Sequence, residues 1–358
     1  MKKIYFTPGP TALYPGVSKI FQFGLKNHVA SLSHRSDEFR EIFREVTTDL
    51  KKLLAIPEEY YIFFTGSGTE AIERTIQNCV EKTSLHFVNG SFSQRFFKTA
   101  QELGKKPKSV EVPLGEGFDF NKITIPQATE MICFTHNESS TGVMTPFEEI
   151  KKIAQKYSDK LIAIDVVSSV PYGDLDYSLL DVAFFSVQKG FGLPAGLGVM
   201  IVSPRAIKKA ESLVAKGVSI GSYHGFPALM DFAKKYFTPE TPPVLEIYVL
   251  GKVIKSMQAV GSEKIHDEIE KKAELLYKFL DASDIVTAFV RDVRFRSPTI
   301  IVVDIQKTKK DIKKMLAEKG MIVGSGYGEN KDKHIRIANF PAHSIRDVRM
   351  LVRELQSI

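Results

Sequence analysis

The chain has 358 residues, of which 43% are apolar and 25% charged, with a net charge of +7. That length supports two domains and a sizeable core, and the composition is that of a globular protein rather than a disordered one. The basic excess is spread along the chain, without a dense block or an aromatic-interleaved basic repeat, which argues against a nucleic-acid binder and for an enzyme of anionic metabolites.

The first dozen residues, rich in Pro and Gly, read as an extended segment. From Tyr60 onward, strand-like and helix-like segments alternate. The pattern predicts strands at 61–65, 85–88, 109–112, 131–135, 161–167, 182–187 and 198–202. Between them it predicts helices at 69–80, with Ala71, Ile72, Ile76 and Cys79 on one face, and at 93–103. A third helix, 146–157, opens with Thr145-Pro146-Phe147-Glu148, which reads as a capping box with Pro at the first helical position. Short apolar strands alternating with helices predict an α/β fold around a mostly parallel, seven-stranded sheet. After Thr241-Pro242-Pro243 the pattern changes. A helical stretch over 244–283 with a break near Gly261 precedes strands at 299–305, 321–323 and 335–339, and helices at 309–318 and 344–356. This is a smaller αβ domain, on which the N-terminal segment is expected to pack.

The two cysteines, Cys79 and Cys133, exclude a disulfide framework, have no metal-ligand spacing, and make a reducing cytoplasm the default. The N-terminus begins basic but lacks the apolar stretch of a signal peptide, and no apolar run reaches the length of a membrane span.

Ligands of open α/β sheets bind beyond the carboxyl ends of the strands, and three features stand there. Thr65-Gly66-Ser67-Gly68-Thr69-Glu70 is a glycine turn leading into a helix, with the S-x-x-E capping spacing at Ser67 and Glu70. It reads either as a capped turn or as an anion cradle. It is neither a Rossmann fingerprint nor a P-loop, because Ala71 stands where a third glycine would and no Gly-Lys-Ser/Thr follows. Asp165 ends the strand Ile162-Ala163-Ile164, either as a turn cap or as the partner of a buried cation. Lys189 follows the strand 182–187 in a glycine-rich stretch, where it either reaches water or performs chemistry. Together the three match what pyridoxal phosphate needs: donors for its phosphate, a carboxylate to keep the pyridine nitrogen protonated, and an amine for its aldehyde.

At this point the sequence resembles the class V aminotransferases, which are fold-type I pyridoxal-phosphate enzymes. The resemblance covers nearly the whole chain. It runs through Thr7-Pro8-Gly9-Pro10-Thr11, Ser33-His34-Arg35-Ser36-Asp37-Glu38-Phe39, the cradle, and His136-Asn137-Glu138-Ser139-Ser140-Thr141-Gly142-Val143. It continues through the Asp165 strand, Gln188-Lys189-Gly190, Pro194-Ala195-Gly196-Leu197-Gly198, Thr241-Pro242-Pro243 and His334-Ile335-Arg336-Ile337-Ala338. It implies a large cofactor domain, 16–250, and a small domain formed by 1–15 and 251–358. It implies Lys189 as the Schiff-base and acid/base residue and Asp165 as partner of the pyridinium. Phe92 would stack on the ring in place of the family's frequent Trp, and Ser139 would bond the ring hydroxyl. Gly68, Thr69 and Gln188 would hold the phosphate. Thr241 would reach the phosphate of a neighbouring subunit in a homodimer with shared sites. Arg336 would clamp the substrate carboxylate, its planar fork suiting that task. His34 and Arg35 would meet the substrate's distal acidic group.

The resemblance implies reversible amino transfer between an L-amino acid and a 2-oxo acid. Length, His34-Arg35, Asn137-Glu138-Ser139 and the Thr241-Pro242-Pro243 segment lean to the phosphoserine:2-oxoglutarate aminotransferases of serine biosynthesis. The N-terminal motif, the cradle and the Lys189 loop also match the alanine/serine–glyoxylate (serine–pyruvate) group. The phosphoserine group places Gly-His-Arg before its carboxylate arginine. Here that stretch reads Gly324-Ser325-Gly326-Tyr327-Gly328, leaving Lys331, Lys333, His334 and His343 as candidate substitutes. Cysteine desulfurase is disfavoured, since Cys79 falls on a helix and Cys133 in a strand. Outside the family, the alternatives are a dinucleotide-dependent oxidoreductase, which the missing third glycine disfavours, and a non-catalytic α/β binding protein.

Overall fold

The computed structural model describes residues 3–308 and 310–357. Its strands are β1 (Ile4–Phe6), β2 (Tyr61–Thr65), β3 (Ser84–Val88), β4 (Lys108–Glu111), β5 (Met131–Thr135), β6 (Asn137–Glu138), β7 (Val143–Met144), β8 (Leu161–Asp165), β9 (Val182–Ser186), β10 (Gly198–Val202), β11 (Thr287–Ala288), β12 (Ile300–Asp304), β13 (Met321–Ser325) and β14 (His334–Ala338). Its α-helices are α1 (Val17–Lys26), α2 (Asp37–Leu54), α3 (Gly68–Cys79), α4 (Ser91–Glu102), α5 (Phe147–Lys156), α6 (Pro204–Ala215), α7 (Phe226–Ala233), α8 (Val244–Val260), α9 (Ser262–Ala282), α10 (Ile312–Glu318) and α11 (Ile345–Gln356).

The large sheet has seven strands in the order β2-β10-β9-β8-β5-β3-β4, with β10 antiparallel to both neighbours. Alternate residues of each strand feed opposite faces, as a pleated strand requires. Phe64, Phe134, Ile164 and Phe185 face a core built with α2, α5 and α8. Phe63, Cys133, Ala163 and Phe184 face a second core built with α3, α4 and α6. Burial on both faces is why these strands read as continuous apolar runs.

The second sheet has the order β1-β13-β14-β12-β11, and α9, α10 and α11 supply its core. The N-terminal strand β1 pairs in parallel with β13, so the extended segment does pack on this unit. Gly261 ends α8 at φ +90°, where the sequence placed a break.

Three expectations are corrected. The strand 161–167 ends at Asp165, because the Asp165 carboxylate turns back to accept the Val167 N–H at 2.8 Å. The capping box at Thr145 does not form. Thr145 leaves the β6–β7 hairpin with its N–H on the His136 carbonyl, and Pro146 is extended, so the helix starts at Phe147. The helix expected over 309–318 begins at Ile312, capped by Asp311; its expected first residue, Lys309, lies outside the described residues. The sequence reading also passed over α1, α2, α6 and α7.

Candidate active site

The parallel order of β8 and β9 sets the two most informative side chains next to each other. Asp165 is the last residue of β8, in register with Phe184 of β9, and Lys189 follows β9 by three residues. The turn before α3 joins them from β2. Gly68 donates its N–H to Ser186 Oγ at 2.7 Å, tying the helix start to the end of β9. A Cβ on Gly68 would lie 2.9 Å from Val167, and one on Gly198 would lie 2.4 Å from Thr65 Oγ1, so both positions need glycine for close approach.

These ends enclose a cavity of about 130 Å³ lined by Gly68, Thr69, Phe92, Ser139, Asp165, Gln188 and Lys189. Seven of the expected site residues therefore converge. Lys189 is 8% exposed. Its Nζ donates to Ser168 Oγ at 3.0 Å and Ser139 Oγ at 3.4 Å and lies 5.3 Å from the centre of the Phe92 ring. Burial lowers the amine's pKa; the charge of Asp165 opposes that and the charge of Arg336 adds to it. Burial raises the Asp165 carboxyl, offset by the Val167 N–H and by Lys189. No cation among the described residues lies within 4 Å of that carboxylate.

Arg336 comes from the other sheet. It sits mid-strand in β14, in register with Gly324 and Val302. Its Nε donates to Ser325 O at 2.8 Å and its Nη1 to Ser139 O at 3.2 Å, while the guanidinium lies over the Tyr327 ring. Nη2 makes no hydrogen bond among the described residues, leaving part of the fork open. His34 and Thr241 lie 3.4 Å apart, and neither they nor exposed Arg35 line this cavity.

The sequence reading missed Arg95, Asn137 and Ser168, which line the cavity, and Glu138 beside it. Glu138 is fully buried and accepts from the N–H groups of Phe92 and Ser93 at the start of α4, fixing Phe92. Asn137 donates to Ser168 O and Thr299 Oγ1, bridging the two sheets. Asn137 and Glu138 stand in the quoted 136–143 motif, but only their tertiary partners reveal these roles. Two proposed substitutes for the missing Gly-His-Arg are excluded by their surroundings. His343 donates to Tyr5 O and accepts from Phe340 N–H, and His334 is buried against Phe289.

The aminotransferase class-V family profile matches residues 6–331. The chain belongs to the class-V aminotransferases. The solved structure of a phosphoserine aminotransferase from Cytophaga hutchinsonii superposes with a TM-score of 0.97, at 45% identity over 99% of this chain and 98% of that one. A phosphoserine aminotransferase from Rhodococcus opacus is 25% identical over 355 residues, 98% of this chain and 93% of that protein. The alanine–glyoxylate aminotransferase of Nostoc sp. shares the fold, with a TM-score of 0.85 at 23% identity over 100% of this chain and 95% of that one.

Membership makes the chain a fold-type I, pyridoxal-phosphate-dependent aminotransferase, and the cavity's donors and acceptors fit that cofactor. The Thr69 N–H has no partner among the described residues, and it stands in the first turn of α3, where an anion is favoured. Ser186 Oγ accepts the Gly68 N–H, and its hydroxyl proton has no acceptor among the described residues, so it is free to meet an anion. The buried Oε1 of Gln188 and Oδ1 of Asn137 are unpartnered. Asp165 supplies a carboxylate without a counter-ion at the depth where a protonated ring nitrogen belongs. No helix among the described residues is long and apolar enough to cross a membrane.

Proposed function

We propose that this aminotransferase moves the amino group of L-phosphoserine to 2-oxoglutarate, with Lys189 as its catalytic residue. The relative at 45% identity across 99% of the chain carries the substrate half of this reading, since it is a phosphoserine aminotransferase. Two cations near Lys189 agree with it: Arg336, with its fork partly open, and Arg95, which forms no ion pair among the described residues.

When bound, pyridoxal phosphate supplies an electrophilic aldehyde and a conjugated ring that withdraws electrons. Gly68, Thr69, Ser186 and Gln188 would hold its phosphate, Phe92 would cover its ring, Ser139 and Asn137 would meet its hydroxyl, and Lys189 would hold it covalently. Asp165 would keep the ring nitrogen protonated. Burial keeps part of the Lys189 amine uncharged near neutral pH, so it can accept a substrate proton and return it. Ser168 and Ser139 aim the amine, and Arg336 fixes the substrate carboxylate.

The test is a visible spectrum of the holoenzyme after separate additions of L-phosphoserine and L-alanine. Conversion of the cofactor band by phosphoserine alone supports the reading. Conversion by alanine alone assigns the enzyme to the glyoxylate-type group. Lys189→Ala should abolish the band of the lysine-bound cofactor; a retained band defeats Lys189 as the attachment site.

We also propose a homodimer with shared sites, in which His34, Arg35 and Thr241 serve the partner's cavity. Their position away from the cavity of their own chain supports it. Mixing Lys189→Ala and Thr241→Val chains should restore one intact site per heterodimer; a mixture no more active than its components defeats it. The same reading keeps two domains, 16–250 and 1–15 with 251–358; the separate cores of the two sheets support the division, but Val253, Ile254, Met257, Ile265 and Ile269 pack in the large-sheet core, which moves the boundary past 250 into α9. It also keeps the cytoplasm as location, supported by both cysteines being free and buried.

A further inference from the structure

One neighbour of the Lys189 side chain arrives from the N-terminus. After β1 the chain bends at Pro8-Gly9-Pro10, with the Ala12 N–H returning to Tyr5 O, and crosses the Lys189 loop as a strap, residues 7–14. The Thr11 N–H donates to Gln188 O at 3.1 Å and the Tyr14 N–H to Gly192 O at 2.8 Å. Ahead of these bonds Gly9 lies against the stem of Lys189. A Cβ built on Gly9 would stand 3.1 Å from Lys189 Cε and 3.2 Å from Cγ, closer than the ~3.5–4.0 Å at which carbon atoms pack. The stem is thus confined on one side by backbone, while Ser168 and Ser139 hold the amine.

The other end of the strap belongs to the small sheet. Phe6 pairs with Val323 of β13, and the next residue of β13, Gly324, packs against Pro8 so closely that a Cβ there would lie 2.5 Å from the proline ring. Gly324 is also the register partner of Arg336. His343 fastens this end. Its Nε2 donates to Tyr5 O at 2.8 Å and its ring stacks on Phe6 at 4.9 Å. Lys272 in turn donates to the His343 carbonyl at 2.7 Å and the Phe340 carbonyl at 3.1 Å.

We propose that Gly9 is a positioning residue for Lys189, and that the strap couples the place of this lysine to the strand carrying Arg336. The inference rests on the reading of Lys189 as the residue that holds the cofactor and moves the proton. Gly9 supplies a backbone surface without a Cβ against which the stem packs. Pro8, seated on Gly324, ties that surface to the neighbour of Arg336. The strap thereby links the position of the carboxylate clamp to that of the amine.

The experiment compares wild type, Gly9→Ala and Pro8→Ala as holoenzymes. Three quantities are read: the pH midpoint of the lysine-bound cofactor's visible band, kcat and KM separately, and the thermal midpoint. For Gly9→Ala, displacing the stem by a few tenths of an ångström should move the band midpoint by about half a pH unit or more. It should lower kcat about tenfold, with KM changed less than about threefold and Tm within about 2 °C. A lower Tm with an unmoved band midpoint means a merely structural glycine and overturns the proposal. So does an unmoved midpoint with kcat within about twofold of wild type. Pro8→Ala leaves the Gly9 surface intact and loosens its tie to Gly324. It should raise KM for the amino acid and move the band midpoint in the same direction by less. If both stay unchanged, the coupling is overturned, and this variant decides the matter should Gly9→Ala fail to fold. A band that survives in Lys189→Ala would sink the underlying reading. A band lost there but unmoved in Gly9→Ala sinks this inference alone.

Discussion

The two sides of the cavity are built by different rules. On the large-sheet side, Asp165, Lys189 and the α3 turn each lie within three residues of a strand end. A parallel sheet gathers its carboxyl ends along one edge, so topology alone brings these residues together. On the small-sheet side, Arg336 sits in the middle of a strand and is held beside Ser139, which lines the cavity, through register and two backbone carbonyls, Ser325 and Ser139. The strap beside it arrives from the opposite end of the chain. Residues placed by topology announce their chemistry locally, whereas residues placed by convergence do not.

The largest effect is expected on the topological side. Asp165→Asn keeps the shape but removes the negative charge opposite the ring nitrogen. The rate should fall by roughly 10³, the scale seen when a preorganised electrostatic partner is lost. Cofactor retention and thermal midpoint should change little by comparison. A rate within about tenfold of wild type would count against this role.

His343 probes the convergent side through pH. Burial pushes its pKa down to about 4. Lys272 pushes it the same way, while the bond donated to Tyr5 O and the charge of Asp347 oppose. In the unfolded chain it titrates near 6.5, so the unfolded state binds more protons between these values and stability rises with pH there. The contribution is complete above about pH 6.5 and is lost as pH falls through about 4, amounting to roughly 3 kcal/mol. Urea midpoints at pH 7 and pH 4 should differ less in His343→Gln than in wild type. Equal pH sensitivity in the two proteins would place the titration elsewhere.

How much of this was legible follows the same division. The seven-stranded sheet and the positions of Lys189 and Asp165 could be read because apolar runs buried on both faces are distinctive and end in unusual polar residues. The break at Gly261 was legible because few residues but glycine adopt its positive φ. The roles of Asn137 and Glu138 were not. Nothing near Asn137 in the sequence shows that Thr299, far along the chain, accepts its amide. Nothing near Glu138 shows that the start of α4 closes over it. The Thr145 capping box failed for a related reason: a local signal lost to a hairpin hydrogen bond. His343 looked like a spare cation for a phosphate, and only the return of β1 shows its nitrogens to be occupied.

Arg336→Lys separates the two sides directly. Lysine keeps the charge but loses the planar fork and the bond to Ser139 O. KM for the amino acid should rise about 10- to 100-fold, with the pH midpoint of the cofactor band within about 0.2 of wild type. An unchanged KM would remove Arg336 from substrate recognition. A midpoint shifted as far as in Gly9→Ala would mean that the arginine acts through the strap rather than on the carboxylate.

The smallest effect asks whether the cradle belongs to its helix or to the sheet. Ser67 Oγ accepts the Glu70 N–H at 3.1 Å, a purely local cap, whereas Ser186 Oγ accepts the Gly68 N–H from the end of β9. Ser67→Ala should cost about 1 kcal/mol of stability, as cap removal does, with cofactor affinity within about threefold of wild type. Ser186→Ala removes a bond inside the cavity and should weaken cofactor affinity more than it lowers the thermal midpoint. If Ser67→Ala proves the more damaging to cofactor binding, the anion is held by the helix end alone. The joining of strand ends by Ser186 would then be packing, and the large-sheet side would owe less to topology than its geometry implies.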